Sequence, residues 1–233
     1  MIKNILITGT PKSGKSTLLR KIISTLPNKV GFITTEIRDD NGRVGFELET
    51  HKGIKSVLAH IDFNTPHQVS KYFVDIKNLE KIIPQVLEFS ANDFLYLDEI
   101  GQMQLFSSDF EKLVKKYLDA ENTLISTLSA VYQNDFTDSI RKRKDVYIVE
   151  ISEDNRAEKE VFINQLIRKI EKAKNYIVQS DKFVRRGKDI ELKSEHGTRI
   201  LSKVVDNWKC NCNFFSRYNI CSHVIATQEL YGN

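Results

Sequence analysis

Two glycines near the amino terminus have the spacing of a phosphate-binding loop. Gly9 and Gly14 lie between an apolar run and a segment with helical spacing. The backbone N–H groups of such a loop, and of the helix after it, present partial positive charge to an anion. This order is that of a P-loop and predicts binding of a nucleoside triphosphate. The predicted phosphate-binding residues are Gly9, Thr10, Pro11, Lys12, Ser13, Gly14, Lys15, Ser16 and Thr17.

Three residues at the end of this loop have separate predicted roles. Lys15 is expected to reach the β- and γ-phosphates as a point charge. The hydroxyl of Ser16 is expected to bind Mg²⁺, and Thr17 to lie in the first helical turn near the phosphates. The alternative is a glycine-containing turn without a ligand, which is disfavoured because the strand and helix patterns flank it.

A pair of acids ends another apolar run and completes a possible catalytic set. Asp98 and Glu99 follow residues 93–97, which have the composition of a buried strand. Asp98 is expected to hold Mg²⁺ through water, and Glu99 to orient or deprotonate an attacking water. Alternatively, the two acids only end a strand and cap the next helix. The pair activates water without any acceptor, so it favours a hydrolase over a kinase.

The three cysteines of the chain all lie in a short carboxy-terminal segment beside a histidine. Their pattern is Cys-x-Cys, eight residues, then Cys-x-His. Three thiolates and one imidazole form a closed tetrahedral zinc site. A disulfide fits poorly with an odd number of cysteines, and unrelated buried thiols are the remaining alternative. The predicted zinc ligands are Cys210, Cys212, Cys221 and His223.

Composition and charge limit the class of protein. The chain has 233 residues, of which 40% are hydrophobic and 28% charged, as in globular proteins. The first apolar run is about five residues long, too short for a signal-peptide core or a membrane span. We therefore expect a cytoplasmic location and no membrane partner.

The positive charge is concentrated towards the carboxy terminus. The net charge of +4 is too small to indicate nucleic acid by itself, but residues 164–203 carry eleven Lys and Arg against five acids. A solvated helix face accounts for part of this excess, and the remainder suggests an anionic partner.

Apolar runs alternate with helical segments over most of the chain, which predicts a parallel sheet covered by helices. The runs around residues 51–53 predict an antiparallel hairpin added to this core, and those around 194–197 predict a second hairpin. We predict a first domain at 1–174 and a small module at 175–233. Strands are predicted near 3–8, 30–35, 93–98, 122–127 and 145–150, and helices near 15–26, 76–90, 107–119 and 155–174.

Further segments extend the pattern beyond the P-loop. They are residues 31–38, 42–46, 69–75 and 98–107, and the pair Asn155-Arg156. With these segments in this order, residues 1 to about 174 resemble the small P-loop nucleoside-triphosphatases of the THEP1 type, known from thermophiles and animals. The resemblance implies a RecA-like mixed sheet and slow hydrolysis of nucleoside triphosphates with little base selectivity.

The same resemblance assigns residues outside the P-loop. Thr35, Glu36 and Arg38 would line the phosphate side, and Asn155-Arg156 would form the base-side loop. Alternatively, Arg38 and Arg43 pair with Glu36 or Asp39 at the surface, and Asn155 only caps its helix.

The chain departs from the family at two places. An acid expected at 104 is Gln104, and Leu128-Ser129-Ala130 follows Thr127 where the family commonly has a basic residue. If that residue helps catalysis, this chain is expected to be slower than its relatives. Arg141 and Arg143 are possible substitutes, although a solvated helix end is the simpler role for them.

The carboxy-terminal segment resembles a SWIM zinc finger, since Cys210, Cys212, Cys221 and His223 match that pattern in full. The resemblance implies binding of nucleic acid or protein, with Arg185, Arg186, Lys188 and Lys193 as candidates for phosphate contact or as a solubilising surface.

The leading hypothesis is therefore an Mg²⁺-dependent nucleoside-triphosphatase with a zinc-stabilised docking module. A second hypothesis is a nucleotide-dependent binding switch with little hydrolysis, and a third is a P-loop kinase.

Overall fold

A nine-stranded mixed sheet positions the candidate catalytic residues. The computed structural model describes residues 1–205 and 207–232, and the following strands form this sheet within them. They are β1 (Asn4–Thr8), β2 (Lys29–Asp39), β3 (Gly42–Thr50), β4 (Lys55–His60), β5 (His67–Val69), β6 (Tyr72–Val74), β7 (Phe94–Ile100), β8 (Leu124–Leu128) and β9 (Val146–Glu150).

The spatial order of the strands is β5-β6-β4-β3-β2-β7-β8-β1-β9. Neighbours from β2 through β7, β8 and β1 to β9 are parallel, whereas β2-β3, β3-β4, β4-β6 and β5-β6 are antiparallel. Strand β8 therefore lies between β1 and β7. Because these three strands are parallel, their carboxyl ends meet at one edge of the sheet.

Helices cover the sheet and bury its apolar strands. In the first helix, Leu18, Leu19, Ile22 and Ile23 form the buried face, at the spacing of an amphipathic helix. The helices within residues 3–160 are α1 (Lys15–Ser24), α2 (Ile76–Val86), α3 (Ser108–Asp119) and α4 (Asp135–Arg141). Helix α5 (Arg156–Val178) begins there and lies mostly in residues 161–233.

The sequence predictions agree with most of these elements. The five parallel strands and the hairpin of β3 and β4 are confirmed. Strand β2 continues four residues past its predicted end because it pairs with β3 as far as Asp39 and Gly42. The helix predicted to end at 174 continues to Val178. Strands β5 and β6 and helix α4 were not predicted, because elements this short carry too little periodicity.

The carboxy-terminal region has its own small antiparallel sheet. Its order is sequential, and its apolar core includes Phe183, Ile190, Leu192, Leu201 and Trp208. The predicted second hairpin is confirmed, since the two strands either side of residues 195–196 pair with each other. The elements are β10 (Phe183–Arg186), β11 (Asp189–Ser194), β12 (Gly197–Val204), β13 (Asn207–Cys210), α6 (Asn213–Tyr218) and α7 (Ser222–Tyr231).

The chain divides into two units of contacting residues. Residues 3–160 form the first unit, and residues 161–233 with residues 1–2 form the second. The division after residue 174 stays a prediction. Among the described residues, every helix is too short or too polar to cross a membrane.

Candidate functional site

Where the loop after β1 enters α1, the N–H groups of Lys15, Ser16 and Thr17 have no hydrogen-bond partner in the part of the chain that the structure describes. Gly14 is the N-cap of α1, with φ of 89°, and has no side chain to cap the helix. Glycine adopts this left-handed conformation without the steric cost of a Cβ atom. The first N–H groups of α1 are therefore free to bind an anion.

Lys15 folds back over this loop. Its Nζ atom donates hydrogen bonds to the carbonyl oxygens of Gly9 at 3.1 Å and Thr10 at 3.4 Å. The ammonium group thus lies within the curve of the loop, where the sequence predicts the phosphates.

Asp98 lies at the centre of the carboxyl edge and is fully buried. Its Oδ1 atom accepts hydrogen bonds from Ser16 Oγ at 2.9 Å and from Thr127 Oγ1 at 2.6 Å. Thr127 belongs to β8, the strand between those that carry the P-loop and Asp98. The structure therefore brings together Ser16 and Asp98, as predicted from sequence, and adds Thr127, which the sequence analysis did not select.

The oxygen atoms around Asp98 fit a hard cation. Among the described residues, its buried Oδ2 atom accepts no hydrogen bond. Burial raises the pKa of Asp98, while the hydrogen bonds from Thr127 and Ser16 lower it in part. Carboxylate and hydroxyl oxygens are the ligands that Mg²⁺ prefers.

Glu99 follows directly and faces Lys15. Its Oε1 atom lies 3.9 Å from Lys15 Nζ, and its side chain is 34% exposed. Burial raises the pKa of Glu99, the charge of Lys15 lowers it, and the neighbouring Asp98 raises it again. A Cβ atom at Gly101 would lie 3.2 Å from Glu99 Oε2, so this glycine leaves room for the carboxylate.

Hydrogen bonds connect the end of β2 to the same site. Thr34 Oγ1 donates to the backbone oxygen of Asp98. Arg20 of α1 donates to the Thr34 carbonyl oxygen at 2.9 Å and to Thr35 Oγ1 at 2.6 Å. Thr35, predicted on the phosphate side, is thus held by an arginine that the sequence analysis did not single out.

The other predicted phosphate-side residues form an ion cluster. Glu36 accepts hydrogen bonds from Arg38 at 2.6 Å and from Arg43 at 2.7 Å. Partial burial opposes ionisation of Glu36, but the hydrogen bonds from Arg43 and Arg38 lower its pKa overall. This is the surface pairing that the sequence analysis left open as an alternative.

The two arginines considered as substitutes for the missing basic residue lie in different places. Arg143 pairs with Asp119 and Asp145 at 2.8 and 2.7 Å. The carbonyl oxygen of Asp145 accepts a hydrogen bond from the N–H of Asn4, the first residue of β1. This is the end of β1 opposite the P-loop. Arg141 instead donates to the Ser129 carbonyl oxygen at 2.6 Å, just after β8. Arg143 is therefore not placed to assist phosphate chemistry.

Asn155 and Arg156 follow β9 and approach the P-loop from the side opposite Glu99. Asn155 Oδ1 accepts from the Ser152 N–H at 2.9 Å, so this side chain stabilises its own loop. The side chain of Arg156 lies against Gly14, where an added Cβ atom would be 2.2 Å from Arg156 Nη1.

A separate cluster in the second unit contains three thiols and one imidazole. All four side chains are buried, and their ligand atoms lie within 4.8 Å of one another. The cysteines are free, and His223 Nδ1 is 3.5 Å from Cys210 Sγ and 3.8 Å from Cys221 Sγ. A tetrahedral zinc ion with ordinary bond lengths separates sulfur from nitrogen by about 3.6 Å. The cluster therefore fits a zinc ion.

The sulfur atoms perturb one another strongly. A hydrogen bond with Cys212 raises the pKa of Cys210 to about 11. Hydrogen bonds from Cys210 and Cys221 lower the pKa of Cys212. Three crowded thiols thus favour one thiolate, and ionisation of all three requires a cation.

Comparison with known proteins finds relatives for the first unit and for the residues that follow it as far as residue 179. The model of the NTPase family matches residues 4–179. The nucleoside-triphosphatase THEP1 of Thermotoga maritima is 41% identical over 154 residues, which cover 65% of this chain and 88% of that protein. The human cancer-related nucleoside-triphosphatase is 29% identical over 174 residues, which cover 67% of this chain and 92% of that protein.

Solved structures show the same fold. The crystal structure of THEP1 from Aquifex aeolicus superimposes with a TM-score of 0.65 at 29% identity, covering 70% of this chain and 98% of that one. The solution structure of a human cancer-related nucleoside triphosphatase gives 0.60 at 28% identity, covering 71% and 97%. The family match ends at residue 179, before the Cys and His cluster. The chain therefore belongs to the THEP1-type family of nucleoside-triphosphatases.

Proposed function

We propose that the chain hydrolyses nucleoside triphosphates to the diphosphate and inorganic phosphate in a reaction that depends on Mg²⁺. One observation supports this most directly: buried Asp98, bonded to Ser16 of the P-loop, precedes Glu99, which faces the P-loop lysine. The strand order, with β8 between β1 and β7, supports the RecA-like classification.

The loop and Lys15 bind the phosphates in this proposal. The N–H groups of Gly14 and of Lys15, Ser16 and Thr17 at the start of α1 hold phosphate oxygens, and Lys15 moves from the Gly9 and Thr10 carbonyl oxygens to the β- and γ-phosphates. Charge that develops on the transferred group is then stabilised by donors already in place, which is the main source of catalysis in phosphoryl transfer.

Glu99 is the proposed general base. One oxygen of its carboxylate takes a proton from water as the water oxygen bonds to the γ-phosphorus, and the bond to the bridging oxygen breaks and leaves the diphosphate. Its raised pKa makes Glu99 a better proton acceptor than an exposed glutamate.

Ser16 and Asp98 are the proposed residues for Mg²⁺, with Thr127 orienting the Asp98 carboxylate. When bound, the ion neutralises charge on the phosphate oxygens. Thr35, Glu36 and Arg38 remain proposed phosphate-side residues. Asn155 and Arg156, which follow β9, remain proposed nucleotide-binding residues.

Phosphate release tests this function. Wild type, Glu99→Gln and Glu88→Gln are compared with ATP, GTP, CTP and UTP, with and without Mg²⁺. We expect Mg²⁺-dependent release by wild type and by the exposed control Glu88→Gln, and a loss of about 10²- to 10⁴-fold in Glu99→Gln. Nucleotide binding without release favours the switch. Formation of the diphosphate without free phosphate, and only when a phosphate acceptor is added, favours a kinase.

We also propose that Cys210, Cys212, Cys221 and His223 bind zinc in a SWIM-like module that docks nucleic acid or a protein. The distances in the cluster support zinc. Nucleic acid is favoured because residues 161–233 carry thirteen Lys and Arg against seven Asp and Glu. Metal analysis should find one zinc per chain, and labelled single- and double-stranded DNA and RNA should bind more weakly as salt increases. Failure to bind any of them points to a protein partner.

A further inference from the structure

The loop after β9 packs closely on the P-loop. The N–H of Ile151 donates to the Thr8 carbonyl oxygen at 2.8 Å. A Cβ atom at Gly9 would lie 2.3 Å from the Ile151 carbonyl oxygen, and one at Gly14 would lie 2.2 Å from Arg156 Nη1. The backbone of Ile151 therefore requires glycine at position 9. At Gly14 the missing side chain leaves the space that the Arg156 guanidinium occupies.

The Arg156 guanidinium lies at this contact without a counterion. It is half-buried, and among the described residues none of the hydrogen bonds or ion pairs involves its side chain. The nearby acids Glu153, Asp154 and Glu158 are exposed and do not pair with it. An arginine beside an uncapped helix N-terminus combines two positive groups, which favours an anion at the same point.

The strand order places Arg156 at one end of the expected phosphate chain. Glu99 approaches the P-loop from β7, whereas Arg156 approaches it from the side of β9, and β1 lies between. With the γ-phosphate next to Glu99, the phosphate nearest the ribose lies towards Arg156.

We propose that Arg156 binds the nucleotide through its α-phosphate, as a phosphate-binding residue and not through the base as the family resemblance implied. The inference rests on the proposed nucleotide binding at the P-loop. Because phosphates are common to all nucleotides, Arg156 contributes equally to affinity for each base and for the diphosphate product.

Inorganic tripolyphosphate distinguishes phosphate contact from base contact because it has neither base nor ribose. Dissociation constants for ADP, GDP and tripolyphosphate are measured for wild type, Arg156→Ala, Arg156→Lys and Lys159→Ala. The last removes the same charge three residues further along α5. We expect Arg156→Ala to weaken all three ligands by a similar factor, about tenfold to a hundredfold. Arg156→Lys should recover part of the loss, and Lys159→Ala should bind as wild type.

Two results would overturn the inference. Weaker binding of ADP and GDP with unchanged tripolyphosphate binding places Arg156 at the base or ribose. If wild type and Arg156→Ala bind all three ligands equally and have the same melting temperature, Arg156 does not contact the ligand. A wild-type chain that binds none of the ligands refutes the proposed function itself, which separates the two failures. In steady-state hydrolysis, Arg156→Ala should raise KM for ATP and GTP by the same factor.

Discussion

Asp98 in the first unit and the Cys and His cluster in the second are both buried polar groups, but different forces hold them. Asp98 accepts hydrogen bonds from two hydroxyl groups on separate elements, α1 and β8. The cluster places three weakly hydrogen-bonding thiols and one imidazole around a single point.

The difference lies in what positions each group. The sheet ladder aligns β1, β7 and β8, so the geometry of Asp98 does not depend on a ligand. The zinc-ligand candidates lie at the ends of short elements, with Cys210 closing β13, Cys212 before α6 and Cys221 before α7. Small zinc-binding modules obtain much of their folding free energy from the metal. We therefore expect ligand removal to leave the first site folded and to unfold the second.

Zinc removal should give the largest effect. Trp208 is the only tryptophan in the chain, is buried, and donates from Nε1 to the Gly232 carbonyl oxygen at 2.8 Å. Because zinc contributes on the order of 10 kcal/mol to such modules, a zinc chelator should expose Trp208 and shift its fluorescence to longer wavelength. Phosphate release, measured with Mg²⁺ restored, should persist.

Cys221→Ser should reproduce the fluorescence shift without chelator, and added zinc should reverse only the chelator effect. Unchanged Trp208 emission in the metal-free protein would show that the cluster needs no cation, and the contrast between the two sites would disappear.

The change in hydrolysis rate with pH should be a smaller effect than the unfolding caused by zinc removal. Glu99 must be ionised to accept a proton, and its pKa is raised above the ordinary 4.5 by burial. The rate should therefore fall about tenfold per pH unit below a midpoint that lies above 4.5. Initial rates from pH 4 to 8 measure this midpoint, with circular dichroism to show that the protein stays folded. A midpoint at or below 4.5 would contradict the role of burial at Glu99.

Removing the charge of Asp98 should have the smallest effect on stability, and that effect should be favourable. The pKa of Asp98 is raised in the folded state, so its charge lowers stability as pH rises past the unfolded value of about 3.9. Asp98→Asn should therefore increase the free energy of unfolding at pH 7 by about 1 kcal/mol, a rise in Tm of about 2–4 °C, and abolish hydrolysis.

The gain for Asp98→Asn should disappear near pH 3, where the wild-type carboxyl is also neutral. Asp62→Asn is the matched control, since this side chain is 81% exposed and its charge costs nothing by burial. A destabilised Asp98→Asn protein would show that the carboxylate, once bonded to Ser16 and Thr127, stabilises the fold.

Local patterns predicted the central strands, the P-loop, the acids at the end of β7 and the four zinc-ligand candidates. Each of these is a property of neighbouring residues, such as apolar runs, glycine spacing or clustered cysteines. The same local logic failed for β5, β6 and α4. Three-residue strands and a seven-residue helix are stabilised by their neighbours and not by their own periodicity.

Contacts between distant elements were not predictable in the same way. Thr127 and Arg20 have no motif of their own, and their roles follow from β8 lying beside β7 and from α1 lying beside the end of β2. For Glu36 and Arg38, the sequence is compatible both with a phosphate-side role and with a surface ion cluster that includes Arg43. The register of β2 with β3 brings the three side chains together as the ion cluster, and the phosphate-side role of Glu36 and Arg38 stays a prediction.

The sequence by itself determined which chemical groups the protein has and the order in which they occur, because a P-loop, an acid pair and a Cys and His cluster depend on residue type and short spacing. Only the tertiary structure decided which of them meet. Strand order brings Ser16, Thr127 and Asp98 together, and it places Arg156 against Gly14. Such proximity depends on the packing of the whole sheet, which no short segment of sequence encodes.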